Sequence, residues 1–210
     1  MKRLVDIFLF PLAYISGLLY IAYLKTIQVQ VINNELSPAQ MPASKNAIYL
    51  FWHSKTFLIL PYCRNRQIGI LTLLDLKNRF YNFLSRSLGY QTVAVTSQQK
   101  AALRLIQILE EGFHIALAAD GPYGPPGTVK PGPFYLAKKT GRPIIPVRIQ
   151  PQRSFRLNWR WDKYEIPFPF TKTKIFLGAP IYFSEIMHDE ENRVKSELGP
   201  YLPIPSQPGV

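Results

Sequence analysis

Three polar residues stand directly after apolar runs, and each carries a side chain able to move or hold a proton. His53 follows AIYLFW (47–52), Asp75 follows QIGILTLL (67–74) and Asp120 follows HIALAA (114–119). Imidazole titrates near neutrality and can take a proton from an attacking hydroxyl. A carboxylate on the other ring nitrogen would fix the tautomer and stabilise the imidazolium. Asp75 is the first candidate for that carboxylate and Asp120 the second. The competing role for His53 is a plain hydrogen bond to a loop carbonyl.

The stretch ADGPYGPPGTVKPG (119–132) holds four glycines and four prolines. Such a loop is stiff and exposes backbone N–H groups, which can cradle a phosphate, and Lys130 adds a positive charge. The alternative is a loop that only reverses the chain. A Walker loop is excluded because no Gly-Lys-Ser or Gly-Lys-Thr is present, and no dinucleotide fingerprint or Gly-x-Ser-x-Gly elbow occurs. His114 opens an apolar run and His188 lies in an acidic segment, so both read as structural. No pair of histidines has metal-ligand spacing. Cys63 is the only cysteine, which rules out an intramolecular disulfide and suits a reducing compartment.

The elements that must position these residues alternate. Strand-like runs at 27–32, 47–52, 67–74, 91–96, 114–119, 143–149 and 174–181 are interleaved with helical patterns at 78–89, 100–112 and 132–141. Gly89 and Gly112 stand as helix stops. This order predicts a single α/β domain with a central, largely parallel sheet flanked by helices. Sites in such sheets gather beyond the carboxyl ends of strands. If the strands ending at His53, Asp75 and Asp120 are neighbours, the three residues share one rim.

With 210 residues and 47% apolar content the chain suits one domain with a real core. The net charge of +12 attracts an anionic partner. The Lys and Arg residues are scattered, and no zinc-finger, RNA-recognition or basic-zipper pattern is present, so no nucleic-acid partner is expected. Residues 7–24, IFLFPLAYISGLLYIAYL, carry no charge and are interrupted by Pro11, Ser16 and Gly17. They lie at the lower limit for a spanning helix, and AYLKTIQ supplies no signal-peptide cleavage site. The favoured expectation is an apolar helix lying in one leaflet. Residues 1–30 would then be a membrane-associating segment and 31–210 the α/β domain, held as a peripheral or monotopic protein at an anionic cytoplasmic face of the inner membrane.

Several blocks, in order, resemble the lysophospholipid acyltransferase superfamily, and within it a bacterial branch catalogued as a domain of unknown function. FWHSKTFLILPY (51–62) is similar to that branch's Trp-His segment. EEGFHIALAADGPYGP (110–125) is similar to its Asp-Gly-Pro-Arg-Gly-Pro segment. VKPGPFYLAKKTGRPIIPV (129–147) resembles the wider superfamily's Lys-x-Gly, Leu-Ala and Pro-Ile-x-Pro-Val blocks. Trp161-Asp162-Lys163 and Ile166-Pro167-Phe168-Pro169-Phe170 resemble the branch's Trp-Asp and Ile-Pro-x-Pro-Phe segments.

The resemblance implies an α/β acyltransferase domain that takes an acyl group from acyl-CoA or acyl carrier protein to a lipid hydroxyl, with no metal or organic cofactor. It implies His53 as base; Asp75 as the catalytic carboxylate beside it is inferred from its place at a strand end. Lys55, Asp120, Gly121, Pro122, Tyr123, Gly124 and Lys130 are the expected substrate-binding set. The chain also departs from the pattern. The superfamily's His-x-x-x-x-Asp pair is missing, because the fifth residue after His53 is Leu58. The branch's Asp-Gly-Glu is Asp75-Leu76-Lys77, and two of its arginines are Tyr123 and Ala94. These changes keep open a second expectation, a lipid- or carrier-binding module with little or no turnover.

Overall fold

Strand β2 (Ile48–Phe51) is buried at every position, and its alternation builds the two layers of the core. Ile48, Leu50 and Trp52 face one side of the sheet, and Ala47, Tyr49 and Phe51 face the other. The computed structural model describes residues 2–42, 45–62, 68–73, 85, 91–95, 98–183 and 188–200. Within them β1 (Gln28–Ile32), β2, β3 (Ile68–Leu73), β4 (Gln91–Val95), β5 (His114–Ala118), β6 (Ile144–Pro151) and β9 (Lys172–Leu177) form one sheet of order β1-β9-β6-β2-β5-β3-β4. Every pairing is parallel except β6 with β9. The expected largely parallel α/β sheet is present, with one antiparallel junction near its β1 edge.

Helix α3 (Gln98–Glu110) covers one face by burying Ala101, Leu105, Ile108 and Leu109, the stripe that helical periodicity predicts. It stops where Gly112 takes φ 86, a backbone state that costs other residues a Cβ clash. Helices α4 (Gly132–Thr140) and α5 (His188–Leu198) extend the same layer through Phe134, Leu136, Val194 and Leu198. The opposite face is covered by α2 (Thr56–Tyr62) and the C-terminal half of α1 (Lys2–Lys25).

The first of these helices continues through Pro11. Tyr20 and Tyr23 set their ring edges against Phe57 at 4.9 and 5.7 Å, and Tyr20 also donates to the Phe57 carbonyl. Leu12, Ile15, Leu18 and Leu19 point away from the domain and are more than half exposed. No helix among the described residues is long and apolar enough to cross a membrane. The helical pattern at 78–89 lies outside the described residues apart from Ser85.

Sequence periodicity did not reveal a separate two-stranded antiparallel ribbon, β7 (Ser154–Arg156) with β8 (Glu165–Pro167). Each strand is three residues long, too short for a period to show.

Candidate active site

Parallel pairing of β2 with β5 sets Phe51 opposite Ala118. His53 and Asp120 each lie two residues further on, so both leave the sheet at the same rim. Ala119 N–H donates to the Phe51 carbonyl at 2.7 Å and carries the register past the strand ends. The backbone N–H of His53 then donates to Asp120 Oδ1 at 2.9 Å. Beyond this point the chain turns off the sheet through a 3₁₀ turn, His53–Lys55, and Thr56 Oγ1 donates to the His53 carbonyl at 2.6 Å. Asp120 is fully buried. Burial raises its pKa, against the opposing pull of backbone N–H donors and the nearby His53.

The carboxylate on the His53 ring is Asp162. Its Oδ2 lies 2.7 Å from His53 Nδ1, across 109 residues of sequence. Asp162 is fully buried in the turn that joins β7 to β8. Arg160 grips it with two bonds, Nε to Oδ1 and Nη2 to Oδ2, both 2.8 Å. Burial alone would raise the Asp162 pKa, but the bonds from Arg160 and His53 outweigh it and hold the group below the usual carboxylate range. An ionised carboxylate only accepts, so Nδ1 carries the proton it donates. That tautomer leaves Nε2 as the basic nitrogen on a ring that is 26% exposed.

Of the two expected carboxylates, only Asp120 is among the described residues. Asp120 bonds to the His53 backbone rather than its ring, so it positions the main chain. Asp75 lies outside the described residues, and Nδ1 is already engaged by Asp162. Leu58, the residue in place of the superfamily's aspartate, belongs to α2 and is buried in the apolar layer between that helix and the sheet. The resemblance did mark Trp161-Asp162-Lys163. What it lacked was the placement of that segment beside His53, which depends on how the ribbon docks.

Lys55, expected to bind substrate, has a structural partner. It is buried, and its ammonium pairs with the buried carboxylate of Glu165 on β8. Ser154 donates to the same carboxylate. Lys55 thus pins the ribbon to the turn that carries His53.

Trp161, next to Asp162, sets its ring 5.2 Å from the His53 ring at a tilt of 44°. Its other side meets the 119–132 loop. A Cβ on Gly124 would fall 2.8 Å from Trp161 Cε3, and Gly124 also has φ 68, so only glycine fits there without strain. Lys130 N–H donates to the Ala119 carbonyl at 2.8 Å, and its side-chain stem runs beside Gly121. Pro122 and Tyr123 are exposed, Tyr123 by 76%. The loop therefore lies against the His53 site through Gly124 and Trp161, with Tyr123 turned to solvent. Among the described residues no group of His, Cys, Asp and Glu could hold a metal ion.

No protein-family model matches the chain, so the narrower bacterial branch stays a resemblance. A curated relative, an uncharacterized protein of Rickettsia prowazekii (strain Madrid E), is 30% identical over 141 residues, 65% of this chain. The match spans 64% of that protein's length, less than two thirds. Among solved structures, the chain is similar to the 1-acyl-sn-glycerophosphate acyltransferase PlsC of Thermotoga maritima. The TM-score is 0.57 and the identity 21%, covering 90% of this chain and 76% of the other. That likeness establishes an acyltransferase-like α/β fold.

Proposed function

We propose that the chain is an O-acyltransferase that moves an acyl group from a thioester, acyl-CoA or acyl carrier protein, to a hydroxyl of a lysophospholipid-like or glycolipid acceptor. The observation that carries the proposal is the His53–Asp162 pair, held by Arg160 at the rim of a PlsC-like sheet. In the reaction Nε2 of His53 takes the acceptor's hydroxyl proton as the oxygen attacks the thioester carbonyl. A C–O bond forms, the C–S bond breaks, and the leaving thiolate recovers a proton from the imidazolium. Asp162 stabilises that imidazolium and keeps Nε2 facing outward.

The missing aspartate at position 58 speaks for a non-catalytic binding module. The Asp162 carboxylate on the His53 ring speaks for the catalytic reading. Tyr123 in place of arginine still bears on the acceptor, and it favours one whose recognition does not centre on a phosphate at that point. The 120–132 loop, with Lys130, is the proposed acceptor wall. The apolar face of α1 is the proposed contact with the cytoplasmic membrane face. Purified full-length protein given a labelled acyl thioester and a panel of lysolipids and glycolipids tests the proposal. Transfer to at least one acceptor, abolished in His53→Ala, is the expected outcome. Tight lipid binding without transfer would establish the binding module instead.

A further inference from the structure

The ribbon that delivers Asp162 has two unlike faces. Directly opposed residues of an antiparallel pair share a face, and successive residues alternate. Ser154, Arg156, Glu165 and Pro167 form the inner face. Glu165 and Pro167 are buried there, and Glu165 is tied to Lys55 and Ser154. Phe155, paired with Ile166, looks outward, and Phe168 continues the same face. Phe155 is 48% exposed and Phe168 44%. Trp159 packs on Phe155 with ring centroids 6.4 Å apart and is 76% exposed. In the turn that leads from β8 to β9, Phe170 is 77% exposed and held at φ 60, a conformation that a bulky side chain rarely tolerates.

Single exposed apolar residues are ordinary. Four exposed rings on one short ribbon are not. The charge pattern selects the occupant. Residues 152–170 carry Arg153, Arg156, Arg160 and Lys163 against only Asp162 and Glu165. Both carboxylates are buried and ion-paired, Asp162 with Arg160 and Glu165 with Lys55 and Arg156, so the charge left for solvent is that of Arg153 and Lys163 and is cationic. The Arg153 guanidinium lies 5.7 Å from the centre of the Phe168 ring. Rings interleaved with guanidinium groups are the composition of protein surfaces at the lipid headgroup level. The ribbon also adjoins the apolar helix, because Tyr23 of α1 donates to the Pro167 carbonyl at 2.5 Å.

We propose that the outer face of the 153–170 ribbon is a bilayer contact, in which Phe155, Trp159, Phe168 and Phe170 enter the headgroup region of an anionic membrane while Arg153 and Lys163 meet lipid phosphates. Because the same ribbon carries Trp161 and Asp162, this contact seats His53 at the lipid surface. The proposal rests on the acyltransferase reading only in taking a lipid as the acceptor.

The test uses the full chain and a variant with Trp159→Ser, Phe168→Ser and Phe170→Asn, which leaves Arg160, Trp161 and Asp162 intact. Sedimentation with vesicles of equal parts phosphatidylglycerol and phosphatidylcholine should show the variant binding at least about tenfold more weakly. Arg153→Gln and Lys163→Gln should each weaken anionic-vesicle binding about fivefold and leave neutral-vesicle binding unchanged. Acyl transfer to a monomeric lysolipid, below its critical micelle concentration, should match the wild type, which also shows the variant folded. Independently of any variant, brominated phosphatidylglycerol should quench tryptophan emission in the wild type, and Trp159→Phe should remove most of that quenching. Wild-type vesicle binding by the three-ring variant, or quenching unaffected by Trp159→Phe, overturns the proposal. So does loss of acyl-carrier-protein binding with vesicle binding intact, which would make the face a dock for an acidic protein. If no form of the protein transfers acyl groups, the enzymatic reading fails, and vesicle binding and quenching still decide the ribbon.

Discussion

The rim of the parallel sheet and the β7–β8 ribbon supply the two halves of the same site by different means. At the rim, the backbone does the placing: β2 and β5 are in register, so His53 and Asp120 arrive together whatever their side chains do. On the ribbon, side chains do the placing: Asp162 is held by Arg160, and the ribbon is pinned by Lys55 and Glu165. Positions fixed by a hydrogen-bonded ladder tolerate substitution of neighbours. Positions fixed by a few buried ionic contacts are lost when one partner is removed. Substitutions on the ribbon should therefore disturb the chemistry through fewer intermediaries than those on the rim.

The largest expected effect belongs to the base. His53→Ala should reduce turnover by about 10²–10⁴-fold in a folded protein, measured with a labelled thioester. Near-normal activity in a clean preparation would end the general-base mechanism. Asp162→Asn should follow closely, at about 10²-fold or more, because the amide can stabilise neither the tautomer nor the imidazolium. Asp120→Asn should cost activity less, since an amide oxygen can still accept from the His53 N–H. If Asp120→Asn proves the more damaging, the rim rather than the ribbon orients the base.

Acid stability separates the sheet from the site. His114 is buried at the opposite end of β5 from Asp120, where its Nδ1 accepts from Ala47 N–H at 3.1 Å. Burial lowers its pKa to about 4. A histidine kept neutral in the folded state binds its proton more readily when unfolded. Its contribution is therefore complete above the unfolded value near 6.5 and is lost as the pH falls from there to about 4. The loss should amount to about 3 kcal/mol, read by denaturant unfolding against pH, and His114→Gln should flatten that window. Asp162, whose folded pKa is depressed, adds stability above the unfolded carboxylate value that disappears as pH falls through the folded one. A His114→Gln profile that is as steep as wild type above pH ~5 would remove His114 from the account.

Smaller effects probe the junction between the loop and the ribbon. Gly124→Ala should destabilise the protein by about 1–3 kcal/mol, because it adds an unfavourable φ and a clash with Trp161. It should also lower kcat, since Trp161 lies against the His53 ring. A loss of stability with unchanged kcat would show that the ring contact is packing alone. Lys130→Ala should be mildest, raising KM a few-fold with kcat little changed if the ammonium meets an anionic part of the acceptor. Unchanged kinetics would leave the loop as pure architecture.

The sequence made the rim legible because its signals are local. Apolar runs end on polar residues, and an alternating strand–helix order implies parallel neighbours. The runs before His53 and Asp120 are β2 and β5, and Gly112 ends α3. The ribbon was illegible for the opposite reason. Its strands are three residues each, its turn has no recognisable dipeptide, and its value to the site lies in a bond to a residue 109 positions away. Nothing in the spacing of Trp161-Asp162-Lys163 states which histidine it will meet. The ion pair of Lys55 was illegible for a related reason. A lysine two residues after the base suggests substrate contact, and only the fold shows Glu165 beneath it.

The long reach from His53 to Asp162 also sets an order in time. A chain growing from its N-terminus completes β2, β5 and the glycine-rich loop before the codon for Asp162 is read. At that stage the histidine is present and its carboxylate partner does not yet exist. The base acquires its tautomer control only after the ribbon has been synthesised and has docked, a closure over more than half the chain and so among the later contacts to form. Chains interrupted before that point carry most of the sheet without the pair, so the proposed chemistry would be confined to molecules that have been finished.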